Sequence, residues 1–224
     1  MSLLKKFYYE YLELHPVEKY YIGLIDRLEV YENDYSEEYF KKVDDIFNKY
    51  KKLYKKEKNK NSDDNNLLKY ELDDYYNLKK LSSNKKTPKS QQMEYNTEMD
   101  LIPLSSFHNS AIFFIEFMTT FYVIRDNKDV ENLNKIFIGY LPIFDDYIRL
   151  MNKGIKNNIV LPKMICKIVI EQLQDLVKSK DYIIKVNSKY NKNKDYLDYL
   201  NNTIPKYLKK LKQLINFTKN VYLP

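Results

Sequence analysis

The sequence predicts an all-α protein, an irregular multi-helix domain with an αα-hairpin at its centre. Apolar residues recur at three- and four-residue steps along most of the chain, the spacing of one helix face. Only three glycines occur in 224 residues, too few for the many turns of an all-β fold. Two short apolar runs, VIRDN and KDYIIKV, could be extended, but they make no persuasive strand pair. We therefore expect a single helical domain over residues 1–224, with about seven to nine helices.

The first helix is predicted by four apolar residues at helical spacing: Leu3, Phe7, Tyr11 and Leu14. It should end at His15, because a residue before proline is disfavoured in the helical region. We interpret His15 as a helix-end histidine that interacts favourably with the helix dipole. Pro16 opens a second, short helix that ends at Gly23. Asp26 is interpreted as a turn residue whose side chain accepts backbone hydrogen bonds, with a role in a site as the alternative.

A third helix should begin after Ser36, a good N-cap residue followed by two glutamates. The end of this helix is basic and carries five lysines: Lys51, Lys52, Lys55, Lys56 and Lys58. We interpret these lysines as a solvated helix end, and the alternative is a weak basic patch that grips phosphate or an acidic surface. Another helix follows around Leu72. Residues 82–97 are polar and aperiodic, which predicts a long mobile surface loop.

The second half of the chain contains the predicted αα-hairpin. An earlier helix, Asp126 to Tyr140, should be broken or kinked at Pro142. The hairpin helices, Tyr147–Lys156 and Pro162–Lys178, should then pack as antiparallel neighbours. Four residues of the second hairpin helix are expected to be largely buried: Ile165, Ile168, Val169 and Leu173. A last helical pair is expected to be broken at Pro205.

The turn of the hairpin has its own signals. Gly154 and Asn158 flank it, and Asn158 is the residue best suited, after glycine, to a left-handed conformation past a helix end. Pro162 suits a first helical position because its missing N–H is not needed there.

The amino-acid composition argues against several classes of function. The net charge is +7, nearly all from lysine, and only Arg27, Arg125 and Arg149 are arginines. Nucleic-acid readers usually place arginines for bidentate contacts, so nucleic acid is an improbable partner. Cys166 is the only cysteine, which predicts a buried apolar role and a reducing, cytoplasmic location. The apolar run Ala111 to Ile124 contains Glu116 and is too short to span a membrane.

The hairpin stretch GIKNNIVLPKMICKIVIEQL resembles a signature of family eight-eight-five of the domains of unknown function. Its members look like mostly helical, zinc-dependent carboxypeptidase-type proteins. Asn158 stands where that family usually has a second glycine. Seven residues hold places in the family's opening and hairpin patterns: Pro16, Gly23, Asp26, Gly154, Asn158, Leu161 and Pro162. The resemblance covers the family's N-terminal part and stops where the family continues toward its zinc-binding half.

No catalytic residue, metal ligand or cofactor site is predicted. A zinc-peptidase site needs three converging imidazole or carboxylate ligands, and the two histidines, His15 and His108, lie in unrelated contexts. The resemblance implies an N-terminal portion of a metallopeptidase-like protein, inactive alone. Its partner would be a second chain carrying the zinc-binding half, or another copy of itself. The alternative is a basic interaction protein that binds nucleic acid or an acidic surface through lysines.

The isolated chain is expected to hold no stoichiometric zinc and to cleave no peptide, because two separate histidines cannot build the ligand set. Metal analysis after dialysis, together with a peptide-hydrolysis assay, checks this expectation. One tightly held zinc per chain would contradict it.

Overall fold

The computed structural model describes residues 1–57, 62–83, 101–105 and 109–223. These residues are mostly helical and contain no sheet, which confirms the predicted all-α fold; one isolated bridge pairs Leu104 with Asn109. The helices are α1 (Leu3–Leu12), α2 (Pro16–Tyr21), α3 (Glu37–Lys56), α4 (Asp63–Ser83), α5 (Ser110–Thr120), α6 (Asn127–Asn157), α7 (Lys163–Ser179), α8 (Lys194–Asp198) and α9 (Ile204–Phe217). Apart from Ser82 and Ser83, the predicted loop 82–97 lies outside the described residues.

A small N-terminal lobe is formed by α1, α3 and α4, which pack against one another. Ser36 caps α3 as predicted, since its hydroxyl oxygen accepts the Tyr39 N–H at 3.1 Å. The apolar stripe of α3 meets both other helices, and Phe47 stacks on Tyr75 with ring centroids 3.8 Å apart. This lobe has its own buried cluster: Phe7, Ile46, Phe47, Tyr50, Leu68 and Leu72.

The larger lobe is built from α5 to α9 around the 31-residue helix α6. The last part of the chain is helical from Lys194 to Tyr222, with wider π-helical turns at Tyr199–Thr203 and Thr218–Tyr222. Pro205 is the second residue of α9, directly after the first π turn, so the predicted break is a local change of helix type. Helix α9 lies against both α6 and α7 and closes the core.

The predicted break at Pro142 is wrong, because α6 continues through this residue. Pro142 is on the exposed side of α6, and so is Ile138, whose carbonyl loses its helical partner to the proline. Water can satisfy that carbonyl. The opposite face of α6 is buried along its length, and this burial outweighs one lost hydrogen bond.

The turn of the hairpin forms as predicted. Asn158 is left-handed, with φ 56°, and the Ile159 N–H donates to the Gly154 carbonyl at 2.9 Å. Gly154 itself is helical, and its lack of a side chain matters for space. A Cβ there would lie 2.5 Å from the Ile159 carbonyl oxygen and 3.0 Å from that of Leu101.

The expected packing of the hairpin helices is not what the structure shows. Helix α7 makes most of its contacts with α9, the turn Thr218–Tyr222 and α5, and few with α6. Helix α9 contacts both α6 and α7, so the two hairpin helices share one core without lying side by side. Helix α9, which is distant in sequence, packs against the apolar face of α6. The sequences of the two hairpin helices give no indication of this packing.

The buried face of α7 is also rotated from the prediction. Val169 and Leu173 are buried as expected, but Ile165 and Ile168 are only half-buried. Cys166 is buried, and its thiol donates to the Leu161 carbonyl at 3.5 Å. The buried residues of α7 are Cys166, Val169, Ile170, Leu173 and Leu176. Contact with α5 and α9 decides which residues of α7 are covered.

Leu173→Ala should lower the free energy of unfolding by about 2–5 kcal/mol, because it removes a fully buried aliphatic side chain. Ile168→Ala is the matched control on the same helix and should cost clearly less, since its side chain is half-exposed. Chemical denaturation of both variants measures the difference. Equal losses would show that the buried face includes Ile168.

Candidate functional site

The segment between α2 and α3, residues 22–36, passes along the larger lobe with little regular structure before the chain enters α3 of the small lobe. We call it the crossing segment. Its Leu28 is fully buried in the core of the larger lobe. All three arginines of the chain hold this segment in place, although arginine makes up only three of the 38 basic residues.

The first fixation point is a buried carboxylate at the start of α6. Asp129 is 1% exposed and accepts hydrogen bonds from two guanidinium groups, Arg27 Nη1 at 3.1 Å and Arg125 Nε at 3.0 Å. Arg27 also forms a bidentate pair with Asp126, at 2.7 and 2.5 Å, and this pairing holds the pKa of Asp126 well below its usual range. Arg125 Nη2 donates to the Asp26 carbonyl at 2.5 Å. The beginning of the crossing segment is therefore tied to α6.

The second fixation point holds the end of the crossing segment. Arg149 Nη2 donates to the Tyr35 carbonyl at 2.7 Å, and Arg149 Nε donates to Asp146 at 3.0 Å. The Asn33 amide donates to the other Asp146 oxygen at 2.7 Å, and its own carbonyl oxygen accepts the Tyr35 N–H at 3.2 Å. The Arg149 guanidinium group and the Asn33 side-chain amide thus fix the backbone just before α3.

Between these points residues 28–32 have no regular secondary structure, and their side chains reach different neighbours. Tyr31 packs edge-on against Phe114 of α5 and Tyr140 of α6, with centroid distances of 4.9 and 5.4 Å. Glu32 faces α2 instead, where its carboxylate accepts the Val17 N–H at 3.0 Å. That N–H belongs to the first turn of α2 and has no partner within the helix. Glu32 therefore has a structural role as well as a place in the site.

These contacts enclose a cleft of about 560 Å³ between α2, the crossing segment and the helices α5 and α6. We call it the acidic cleft. Three carboxyl groups line it, those of Glu18, Glu32 and Asp34, with His15 beside them. No lysine or arginine of the described residues lines it. Its remaining walls are mainly aromatic: Tyr21, Tyr31, Tyr35, Phe113, Phe117, Phe121 and Tyr147.

Two of the three carboxyl groups, those of Glu32 and Asp34, are partly buried without a described lysine or arginine beside them, whereas Glu18 is exposed. Burial raises the pKa of Glu32 to about 7, and the neighbouring carboxylates Asp34 and Glu18 add to this. Burial also raises the pKa of Asp34 to about 6. Neither group forms an ion pair with a lysine or arginine in the described ranges. Strongly perturbed carboxyl groups in a cleft are typical of functional sites.

A larger groove of about 930 Å³ lies between α5, α7 and residues 180–185. Its charged residues have both signs, three acids against Lys180 and Lys185. This groove is larger, but the acidic cleft is the stronger candidate because its charged lining is acidic, without a lysine or arginine from the described part of the chain.

His15 is the one histidine that the structure describes, since His108 lies outside the described residues. It is half-buried between Tyr11 and Tyr39, and Tyr39 Oη lies 3.3 Å from its Nε2. Burial lowers the pKa of His15 and disfavours the imidazolium form. His15 follows the end of α1, as expected for a helix-end histidine, and its interaction with the helix dipole stays a prediction.

The residues that carried the family resemblance lie in two separate places. Pro16 and Gly23 bound α2, where Gly23 has φ 75°. The Asp26 side chain is exposed, and its carbonyl meets Arg125. The remaining four residues lie at the turn between α6 and α7: Gly154, Asn158, Leu161 and Pro162. The structure does not bring the two groups together in one site, and the acidic cleft is lined by none of the seven.

The basic run lies at the end of α3. The Lys51 ammonium group lies over the Tyr76 ring, 3.3 Å from its centroid, and so makes a cation–π contact within the small lobe. Lys52, Lys55 and Lys56 are exposed, and Lys58 lies outside the described residues.

Metal binding has no ready ligand set in the part of the chain that the structure describes. No group of three His, Cys, Asp or Glu side chains is placed there to hold an ion. In the same residues, no helix is long and apolar enough to cross a membrane.

Sequence reasoning missed Glu32 and Asp34. The available signal was the alternation of tyrosines with acidic and amide residues in YENDY, between two predicted helices. Comparisons of the chain with models of protein families, with curated proteins and with solved structures find no match. The resemblance to the zinc-peptidase-like family therefore stays a prediction from its motif residues.

Glu32 and Asp34 should make the protein less stable as the pH rises from about 4.5 to about 7. Their pKa values are raised in the folded state, so the folded protein binds more protons than the unfolded chain in this range. The double variant Glu32→Gln/Asp34→Asn should reduce this loss by about 1–3 kcal/mol, since one pKa unit corresponds to about 1.4 kcal/mol.

Chemical denaturation at several pH values measures this effect. His15 contributes with the opposite sign, but it is present in both proteins and cancels in their difference. Glu29→Gln removes an exposed carboxylate from the same segment and should leave the pH dependence unchanged. A double variant with the full wild-type pH dependence would show that the two groups are not desolvated.

Proposed function

We propose that the protein is a non-catalytic binding protein that takes a positively charged amine or guanidine group into the acidic cleft. One observation carries this proposal. Three carboxyl groups line the cleft and no described lysine or arginine does, although the chain has a net charge of +7 and 38 basic residues. A bound cation would supply the positive countercharge that no lysine or arginine of the described residues provides to the buried carboxylates.

The aromatic walls of the cleft also favour the binding of a cation, in addition to the carboxyl groups. The Tyr35 ring packs edge-on against Tyr147, with centroids 4.8 Å apart, and its hydroxyl is held by Ser110 at 2.5 Å. Fixed aromatic rings beside carboxylates attract a cation through their negative faces, and the attraction grows when water is excluded. The rings also give an aliphatic stem an apolar surface to cover.

A relation to zinc-dependent peptidases remains a separate proposal, supported only by the motif residues that resemble that family. In such a protein this chain would be the part without the metal, and a second chain carrying the zinc-binding half would be its partner. Cation binding in the acidic cleft does not depend on this relation, because it rests on the lining residues alone.

Butylguanidinium and butylammonium should each cause saturable chemical-shift changes at residues of the cleft, whereas the neutral analogue pentanamide should cause none. The affinity should rise as the pH increases from 5 to 8, because deprotonation of Glu32 and Asp34 creates the charge that binds the cation. Two-dimensional NMR titration of the whole chain measures this.

The double variant Glu32→Gln/Asp34→Asn should lose at least about tenfold in affinity, as removal of a charge-assisted contact does. Glutamine at position 32 keeps an acceptor for the Val17 N–H, so the segment should stay in place. Glu29→Gln is the matched control and should bind as the wild type does. Saturable binding of neither cation, or equal binding by the double variant, would overturn the proposal.

A further inference from the structure

The mouth of the acidic cleft is surrounded by large exposed apolar side chains. Tyr21 is 62% exposed, Phe113 54% and Phe121 45%, and all three line the cleft. Tyr21 packs edge-on against Phe121 with ring centroids 5.1 Å apart. Ile22, directly after Tyr21, is exposed too. We call these four residues the apolar rim.

The apolar rim is held as one surface. The Tyr20 hydroxyl donates to the Phe121 carbonyl at 3.3 Å and accepts the Val123 N–H at 3.2 Å, which joins α2 to the end of α5. Exposed aromatic side chains around a pocket are typical of surfaces that bind another polypeptide. A free small cation would use the cleft but would leave the rim uncovered.

We infer that the acidic cleft and its apolar rim together bind an arginine side chain of another polypeptide, with apolar residues on either side of that arginine. The inference rests on the proposed function and names the partner of the same site. The guanidinium group is planar, can donate to more than one carboxylate, and stacks on aromatic rings, whereas an ammonium group is a compact, strongly hydrated charge. The flanking apolar side chains would cover the rim.

A second copy of this chain does not fit as the partner. Its three arginines are all engaged in holding the crossing segment: Arg27 with Asp126 and Asp129, Arg125 with Asp129, and Arg149 with Asp146. None of the three could enter another molecule's cleft without releasing that segment. Charge complementarity therefore points to a different polypeptide that presents an arginine.

Four blocked tripeptides test the inference by calorimetric titration of the whole chain. Acetyl-Leu-Arg-Leu-amide should bind at least about tenfold more tightly than acetyl-Gly-Arg-Gly-amide, because only the first covers the apolar rim. It should also bind more tightly than the Leu-Lys-Leu peptide, and the neutral Leu-Gln-Leu peptide should not bind. Ile22→Ser changes the rim residue that does not line the cleft, so it should reduce the advantage of the leucines and keep the binding of butylguanidinium.

Met164→Ser, which removes another exposed apolar side chain outside the cleft, is the control and should leave all four affinities unchanged. If Ile22→Ser does not fold, Ile22→Ala gives the same comparison. Equal affinity for the Leu-Arg-Leu and Gly-Arg-Gly peptides would overturn the inference, and so would an equally tight Leu-Lys-Leu peptide. Both results would leave the proposed function standing if butylguanidinium or butylammonium binds, whereas binding of neither cation would overturn both.

Discussion

The carboxylate of Asp129 is buried at the start of α6 and is held by Arg27 and Arg125. A buried charge is tolerated only when it is paired and hydrogen-bonded, and removal of one partner typically costs about 3–5 kcal/mol. This pairing joins residue 27 to residues 125 and 129, about a hundred positions later in the chain. The position of the crossing segment, and with it the acidic cleft, depends on this contact.

The basic residues of the chain divide into two groups by role. Lysines provide most of the positive charge, and many are exposed or paired with nearby acids at the surface, where ion pairs contribute little. Arg125 and Arg149 each reach a carboxylate and a backbone carbonyl together, and Arg27 reaches two carboxylates. Because they fix both ends of the crossing segment, Glu32 and Asp34 are held away from water without a cation of their own.

The sequence predicted the features that depend on nearest neighbours. Ser36 caps α3 and Asn158 is left-handed after α6, because each signal acts on backbone groups within four residues. The exact face of α7 was not predictable in the same way. Ile165 and Ile168 fit the apolar spacing as well as Val169 does, and contact with α5 and α9 decides which of them is covered. The passage of α6 through Pro142 has a similar origin, since the buried face of the helix outweighs the local penalty.

The sequence by itself determined the all-α fold, most helix termini and the burial of Cys166, because helical periodicity and capping are local properties. Only the tertiary structure decided the candidate site. Tyr31, Glu32 and Asp34 lie in a segment without helical periodicity, and their surroundings are supplied by α2, α5 and α6. The pKa of a carboxyl group depends on the water and charges around it in space, which a linear pattern does not record. The acidic cleft therefore became visible only once residues about a hundred positions apart were brought into contact.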